Sequence, residues 1–249
     1  MNVIQFRDTL KKLGKSPATI NNRLSALSSL FSHLIEKQVL QINPVLGVKR
    51  LKDEYHLVKS KCINTQDVSK LLKMPESDSL IGIRDKAILS IFFYTGTRVG
   101  ALTKLKMKDF FEDSNYTVLD FQIKGGRRNR VALHPQVQAD IKEWLVVREH
   151  SHVPDAPLFY SFARNGNAIP TSISTRGVSK IWSKYKVLVG IEGISPHSAR
   201  TTFITTSLEN GADINDVKET AGHLSIRTTQ SYYYRKKTYE RSASFSVRY

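Results

Sequence analysis

Apolar residues recur every three to four positions along most of this chain, the spacing of a helix with one buried face. Val3, Ile4, Phe6, Leu10 and Leu13 give residues 2–13 a partial apolar face, which Gly14 ends. Ser16-Pro17 opens a longer helix, with serine as N-cap and proline as first helical residue. Ile20, Leu24, Leu27, Leu30, Phe31, Leu34 and Ile35 keep helical spacing through it, and Asn43-Pro44 stops the unit. The next stretch, 47–61, is charged, aperiodic and reads as a linker. A domain boundary at residues 50–61 then separates a small helical domain, 1–58, from a larger one, 59–249.

From Asn64 the helical period returns. Asn64 or Thr65 caps a helix carrying Val68, Leu71 and Leu72, and a buried helix runs from about Leu80 to Tyr94 and ends at Gly96. Arg98 opens the helix after that. Residues 116–133 change period: YTVLDFQI and RVALHP flank KGGRRN, two strands around a strongly basic hairpin tip, with Lys124 at the strand end. Helices follow at Gln136–Arg148 and Ser174–Val189, joined by Pro-rich connecting segments around 153–170. TTFITTS at 201–207 has β-forming composition, yet Ile204–Leu208 and the stop at Gly211 favour a helix. The expected fold is mainly α with a small antiparallel β-hairpin or sheet.

Charge narrows the choice of partner. The sequence holds 38 Lys+Arg against 22 Asp+Glu, a net +16. Residues 1–61 carry 11 basic and 4 acidic side chains, net +7, and the other 188 residues carry 27 and 18, net +9. A small domain this basic points to contact with a polyanion, and nucleic acid is the obvious one. Lys15, Arg23 and Asn21-Asn22 supply groups suited to phosphates and base edges, although each by itself also reads as a solvated helix face. No long basic amphipathic helix or lipidation motif favours a membrane surface, and AILSIFFY at 87–94 is too short to span one. Cys62 is the single cysteine, which excludes an intrachain disulfide and a cysteine-cluster metal site. With no signal peptide apparent, the sequence reads as that of a soluble cytoplasmic protein.

The candidate chemistry is concentrated in SPHSARTTFITTSLENGADINDVKETAGHLSIRTTQSYYY, residues 195–234. His197 and Arg200 stand three apart and share one helix face. Gly211 ends that helix, Asp213 caps the next, and His223 follows Gly222. His-x-x-Arg, Gly-His 22 residues after that arginine, and Thr-Thr-Gln-x-Tyr resemble the catalytic end of the tyrosine recombinases of the phage integrase family. Further resemblance lies in the helix at 16–27, in Asn-Pro at 43–44, and in the region from 64 onward, so it covers most of the chain.

The resemblance implies a catalytic set of Arg98, Lys124, His197, Arg200, His223 and Tyr232. The arginines bind the scissile phosphate, since a planar guanidinium reaches two oxygens and keeps its charge. Tyr232 attacks phosphorus and leaves a covalent phosphotyrosine. Lys124 protonates the departing 5′ oxygen, His197 assists proton transfer with Tyr232, and His223 binds a phosphate oxygen. On the residues alone, Arg98 reads equally well as an exposed surface arginine. Arg127 and Arg128, at the hairpin tip, join Lys15 and Arg23 as candidate DNA-binding residues.

Such enzymes use neither metal nor ATP, and no acidic cluster with metal spacing stands near these residues. The resemblance further implies a helical core-binding domain and a catalytic domain closing as a C-shaped clamp on double-stranded DNA. Partners are inverted-repeat recombination sites, with four protomers on two sites and the C-terminal tail docking on a neighbour. Three positions depart from the family pattern: Ala101 replaces an acidic residue, Thr201 a histidine and Ala199 a leucine. The N-terminal domain looks short by one helix, which implies weaker DNA binding. A type IB topoisomerase shares this chemistry, and a non-catalytic DNA-binding regulator on the same fold is the alternative from another class. The complete catalytic set argues against the regulator.

Overall fold

The computed structural model describes residues 2–52, 60–123, 125–149, 151–163 and 165–233. The chain forms two compact units, Met1–His56 and Leu57–Tyr249. In the first, α1 (Val3–Lys12) begins with a reciprocal cap in which Asn2 Oδ1 accepts from Gln5 N–H and Gln5 Oε1 from Asn2 N–H. Gly14, at φ 67°, turns the chain, and Ser16 and Pro17 start α2 (Pro17–Glu36) with the serine hydroxyl accepting from Thr19 N–H. Leu10, Ile20, Leu24, Val45 and Val48 form this unit's core. The segment expected to be a linker from residue 47 is packed chain as far as 52. Val48 is in the core, and Asn21 brackets Leu51 with bonds to its carbonyl (2.8 Å) and its N–H (3.1 Å). An aperiodic segment gives no sign of such side-chain anchoring.

The second unit is built on a buried helix. Asn64 caps α3 (Thr65–Lys73), and α4 (Leu80–Thr95) follows, buried from Ala87 to Phe93. Helix α6 (Pro135–Val147) packs on α4, and Trp182 of α7 (Thr175–Val189) meets Phe92 and Phe93. Between α4 and α6 lie the short α5 (Val99–Leu102) and an antiparallel sheet of β1 (Phe110–Asp113), β2 (Tyr116–Gln122) and β3 (Arg128–Ala132), in that order. β1 extends the expected hairpin to three strands; four residues are too few to show a period of two. A second pair, β4 (Tyr160–Phe162) and β5 (Ala168–Ser172), occupies what read as Pro-rich connection. Pro170 is tolerated because a two-stranded ribbon leaves each strand an open edge.

Three helices close the described chain: α8 (Pro196–Glu209), α9 (Ile214–Thr220) and α10 (Ile226–Tyr233). TTFITTS is therefore helical. Ile204, Leu208, Val217, Ala221 and Tyr232 form an apolar cluster separate from the main core. This cluster sets α10 against α8 and so decides where Tyr232 stands.

Candidate active site

Two glycine turns build the site. Gly96 ends α4 in the left-handed conformation, φ 61°, and a Cβ there would lie 2.5 Å from the Phe203 ring. Any other residue would be strained in backbone and displaced by α8. Two residues on, Arg98 is the N-cap of α5, so its placement follows from where α4 stops. Gly222, at φ 63°, similarly turns the chain out of α9 and presents His223.

Each turn also holds an arginine from elsewhere in the chain. Arg200 Nη1 donates to the Gly96 carbonyl at 2.5 Å, and Arg98 Nη1 donates to the Gly222 carbonyl at 3.1 Å. The two arginines and the two turns are thus cross-linked. Ala101, where the resemblance expects an acid, is buried and offers Arg98 no carboxylate, so the Gly222 carbonyl is the partner seen.

Arg200 is 2% exposed on the inner face of α8, and its Nη2 has no hydrogen-bond partner among the described residues. A buried donor left without an acceptor costs about 1–3 kcal/mol, more when charged. Burial first, then the charge of Arg98, pushes Arg200 down to about 10, while the nearby Tyr232 phenol opposes the shift. Arg200 therefore stays charged at neutral pH. The phenol lies close enough to favour the cation.

His223 is buried, and its Nδ1 lies 2.8 Å from Thr229 Oγ1. Burial, followed by the charges of Arg200, Arg98 and His197, pushes it down to about 3, so the ring is neutral at pH 7. A neutral ring accepting the threonine hydroxyl at Nδ1 carries its hydrogen on Nε2, ready to donate. The His223 and Tyr232 rings stack with centroids 6.0 Å apart. Tyr232 is 4% exposed on α10. His197 stands exposed in the first turn of α8, near enough for its charge to act on His223.

Five of the six expected catalytic residues therefore converge. The sixth, Lys124, lies outside the described residues. Its flanks are fixed: Ile123 N–H donates to the Arg127 carbonyl at 2.8 Å, closing the turn that Gly125 and Gly126 complete at φ 83° and 75°. Beside this turn is a cavity of about 370 Å³ lined by Arg98, Ala101, Lys104, Asn129 and Thr220.

The candidate DNA-binding residues Lys15, Arg23, Arg127 and Arg128 are all exposed. Arg128 stands apart in its pairing. Its guanidinium is bound to Asp109 at 2.5 Å and to Asp120 at 3.0 Å, so its charge is matched within the sheet. Both carboxylates are distant in sequence, and a basic tip read residue by residue does not show them. Thr229 was visible within Thr-Thr-Gln, but its bond to His223 was not; the carbonyls of Gly96 and Gly222 carry no side-chain signal at all.

The sequence pattern of the phage integrase family matches residues 61–240. The chain is 33% identical over 226 residues to the tyrosine recombinase XerC of Thermodesulfovibrio yellowstonii, covering 88% of this chain and 72% of that one. It is 31% identical over 232 residues to the XerC of Escherichia coli O1:K1, covering 92% and 74%. The chain belongs to the phage integrase family, the tyrosine recombinases.

Solved structures agree in fold. The XerH recombinase bound to palindromic difH substrate in a post-cleavage complex superposes with a TM-score of 0.76 at 21% identity, over 99% of this chain and 72% of that one. A lambda integrase dimer bound to a COC′ core site gives 0.65 at 16% identity, over 95% and 65%. The mainly helical fold with small antiparallel sheets is that of the recombinases. No helix among the described residues is long and apolar enough to cross a membrane.

Proposed function

We propose that this site-specific DNA recombinase cuts one strand by attack of the Tyr232 oxygen on phosphorus. The Tyr232 O–P bond forms, the P–O5′ bond breaks, and a 3′-phosphotyrosine and a free 5′ hydroxyl result. Arg98 and Arg200 match the charge on the non-bridging oxygens, with Arg200 Nη2 directed at one of them and His223 Nε2 donating to another. Tyr232 loses its proton as its oxygen attacks, with His197 assisting that transfer. Lys124 gives its proton to the departing 5′ oxygen. Attack by the 5′ hydroxyl of another strand reverses these steps and rejoins DNA without an energy source.

The observation that carries this reading is the buried Nη2 of Arg200, without a partner among the described residues, beside the Tyr232 phenol. Residues 1–58 act as the core-binding domain, with Lys15 and Arg23 on the duplex, and 59–249 as the catalytic domain, with Arg127 at the DNA. The DNA partner is a pair of inverted-repeat sites held by four protomers in the cytoplasm, associated with the nucleoid. Their C-terminal tails, in residues outside those described, dock on neighbours. Incubation with supercoiled plasmid carrying the target site, in EDTA, tests the chemistry: nicked or relaxed DNA with covalently attached protein is expected. Tight binding without any adduct would make the chain a DNA-binding regulator instead.

A further inference from the structure

The site is assembled from two packed groups of residues, joined at α8 by the Arg200 bond to the Gly96 carbonyl and by Ile63 N–H donating to Thr202 Oγ1 at 2.8 Å; two further bonds cross at the turn that bears His223. Arg98 belongs with the main core, through α4 and α5, while Tyr232 lies in the separate apolar cluster of α8, α9 and α10. His223 joins that cluster by stacking on Tyr232. There the Arg98–Gly222 bond crosses from one group to the other. A second bond crosses one turn away: Asn129 Nδ2, on β3, donates to the Thr220 carbonyl at 3.1 Å.

Alternation along β3 explains why Asn129 is the residue that reaches. Arg128 and Arg130 share one face and bind Asp109, Asp113 and Asp120, so Asn129 between them points the opposite way. There it meets Gly222, where an added Cβ would come within 3.3 Å of its Nδ2. Its side chain is half-buried and donates to a helix-end carbonyl, a group that needs a partner. The sheet is rigid, since Leu119 and Val131 are opposed in register and both buried. Asn129 thus transmits a fixed sheet position to the Thr220–Gly222 turn.

We infer that Asn129 is a positioning residue, which registers the turn bearing His223 against Arg98 so that both face one phosphate. This rests on the reading of Arg98 and His223 as the phosphate clamp. When phosphate draws on the Arg98 guanidinium, its bond to Gly222 is strained, and Asn129 holds the turn independently. Asn129 belongs to neither the main core nor the apolar cluster, so its loss affects geometry at phosphorus rather than DNA binding.

Three substrates test this on the full chain: the natural phosphodiester, a methylphosphonate at the cleavage position, and a 5′-bridging phosphorothiolate. The methylphosphonate lacks the negative charge the clamp matches; the phosphorothiolate needs little proton donation to its leaving group. Asn129→Ala should slow cleavage of the phosphodiester roughly tenfold, the effect of about one hydrogen bond, with site binding unchanged. The defect should shrink to within about twofold on the methylphosphonate and persist on the phosphorothiolate. Asn129→Leu, which keeps the side-chain size and loses the donor without adding charge, should behave alike. A wild-type rate on the phosphodiester, or an equal defect on all three, overturns the inference, as does rescue by sulfur, which would place Asn129 with the hairpin lysine. Arg98→Ala run in parallel separates the two levels. If it too is not relieved on the methylphosphonate, the clamp reading fails; if it is relieved and Asn129→Ala is not, this inference alone fails.

Discussion

The imidazole of His223 stacks on the ring of Tyr232 with centroids 6.0 Å apart and 25° between the planes. The contact keeps a histidine and the candidate nucleophile side by side in one buried cluster, where burial and the charges of Arg200 and Arg98 disfavour a charged histidine.

Stability should report that neutral state. His223 titrates at about 3 in the folded chain against an ordinary 6.5. Between these values the unfolded chain binds the extra proton, so this contribution is complete above about pH 6.5 and is lost as pH falls towards 3. His223→Gln should therefore show a smaller drop in Tm than the wild type between about pH 7 and pH 4.5. Equal drops would contradict a buried neutral ring. Thr229→Val, which removes the hydroxyl at Nδ1, should slow adduct formation roughly tenfold.

Arg200 should not be replaceable by lysine. Its guanidinium holds the Gly96 carbonyl with one nitrogen and keeps another, buried, without a partner among the described residues. An ammonium has no such fork, so Arg200→Lys should lose a factor of about 10²–10³ in cleavage, the scale of one directed donor at a reacting centre. Cleavage within a few-fold of wild type would mean that charge alone is needed there.

Lys124→Ala should slow cleavage by roughly 10²–10⁴, the range for a lost general acid. A sulfur leaving group at the 5′ bridging position should largely restore the rate. Without restoration, Arg127 becomes the next candidate for the proton, since Arg128 is committed to Asp109 and Asp120.

DNA affinity should fall steeply with salt, as counterion release requires for a chain of net charge +16. If Lys15 and Arg23 each meet a phosphate, alanine at either position should reduce the slope of log K against log salt by about 1. Unchanged slopes would place both side chains away from the duplex.

Helices were legible here where caps and periodicity agreed. Ser16-Pro17, Asn64, Gly96 and Asp213 all act at helix ends as their chemistry dictates. β1 was missed because its four residues end in Glu112-Asp113, which look like a loop; their partners on β2 make them a strand. The site residues were legible as a spaced series, but what holds them was not. Arg98 and Arg200 lean on backbone carbonyls 124 and 104 positions away, and such acceptors exist at every residue. The pairing of Arg128 with Asp109 and Asp120 escaped for the same reason: it depends on strand register.

The most direct test is the identity of the attacking tyrosine, since three stand in a row at 232, 233 and 234. Successive helical residues turn by about 100°, so one of them at most faces a given phosphate. Tyr232 is packed beside His223 and Arg200. The adduct formed on a suicide substrate should be digested and its DNA-linked peptide sequenced by mass spectrometry. The phosphotyrosyl bond should lie on Tyr232, and Tyr232→Phe should abolish the adduct while site binding persists. A bond on Tyr233 or Tyr234, or an adduct surviving in Tyr232→Phe, would contradict the assignment.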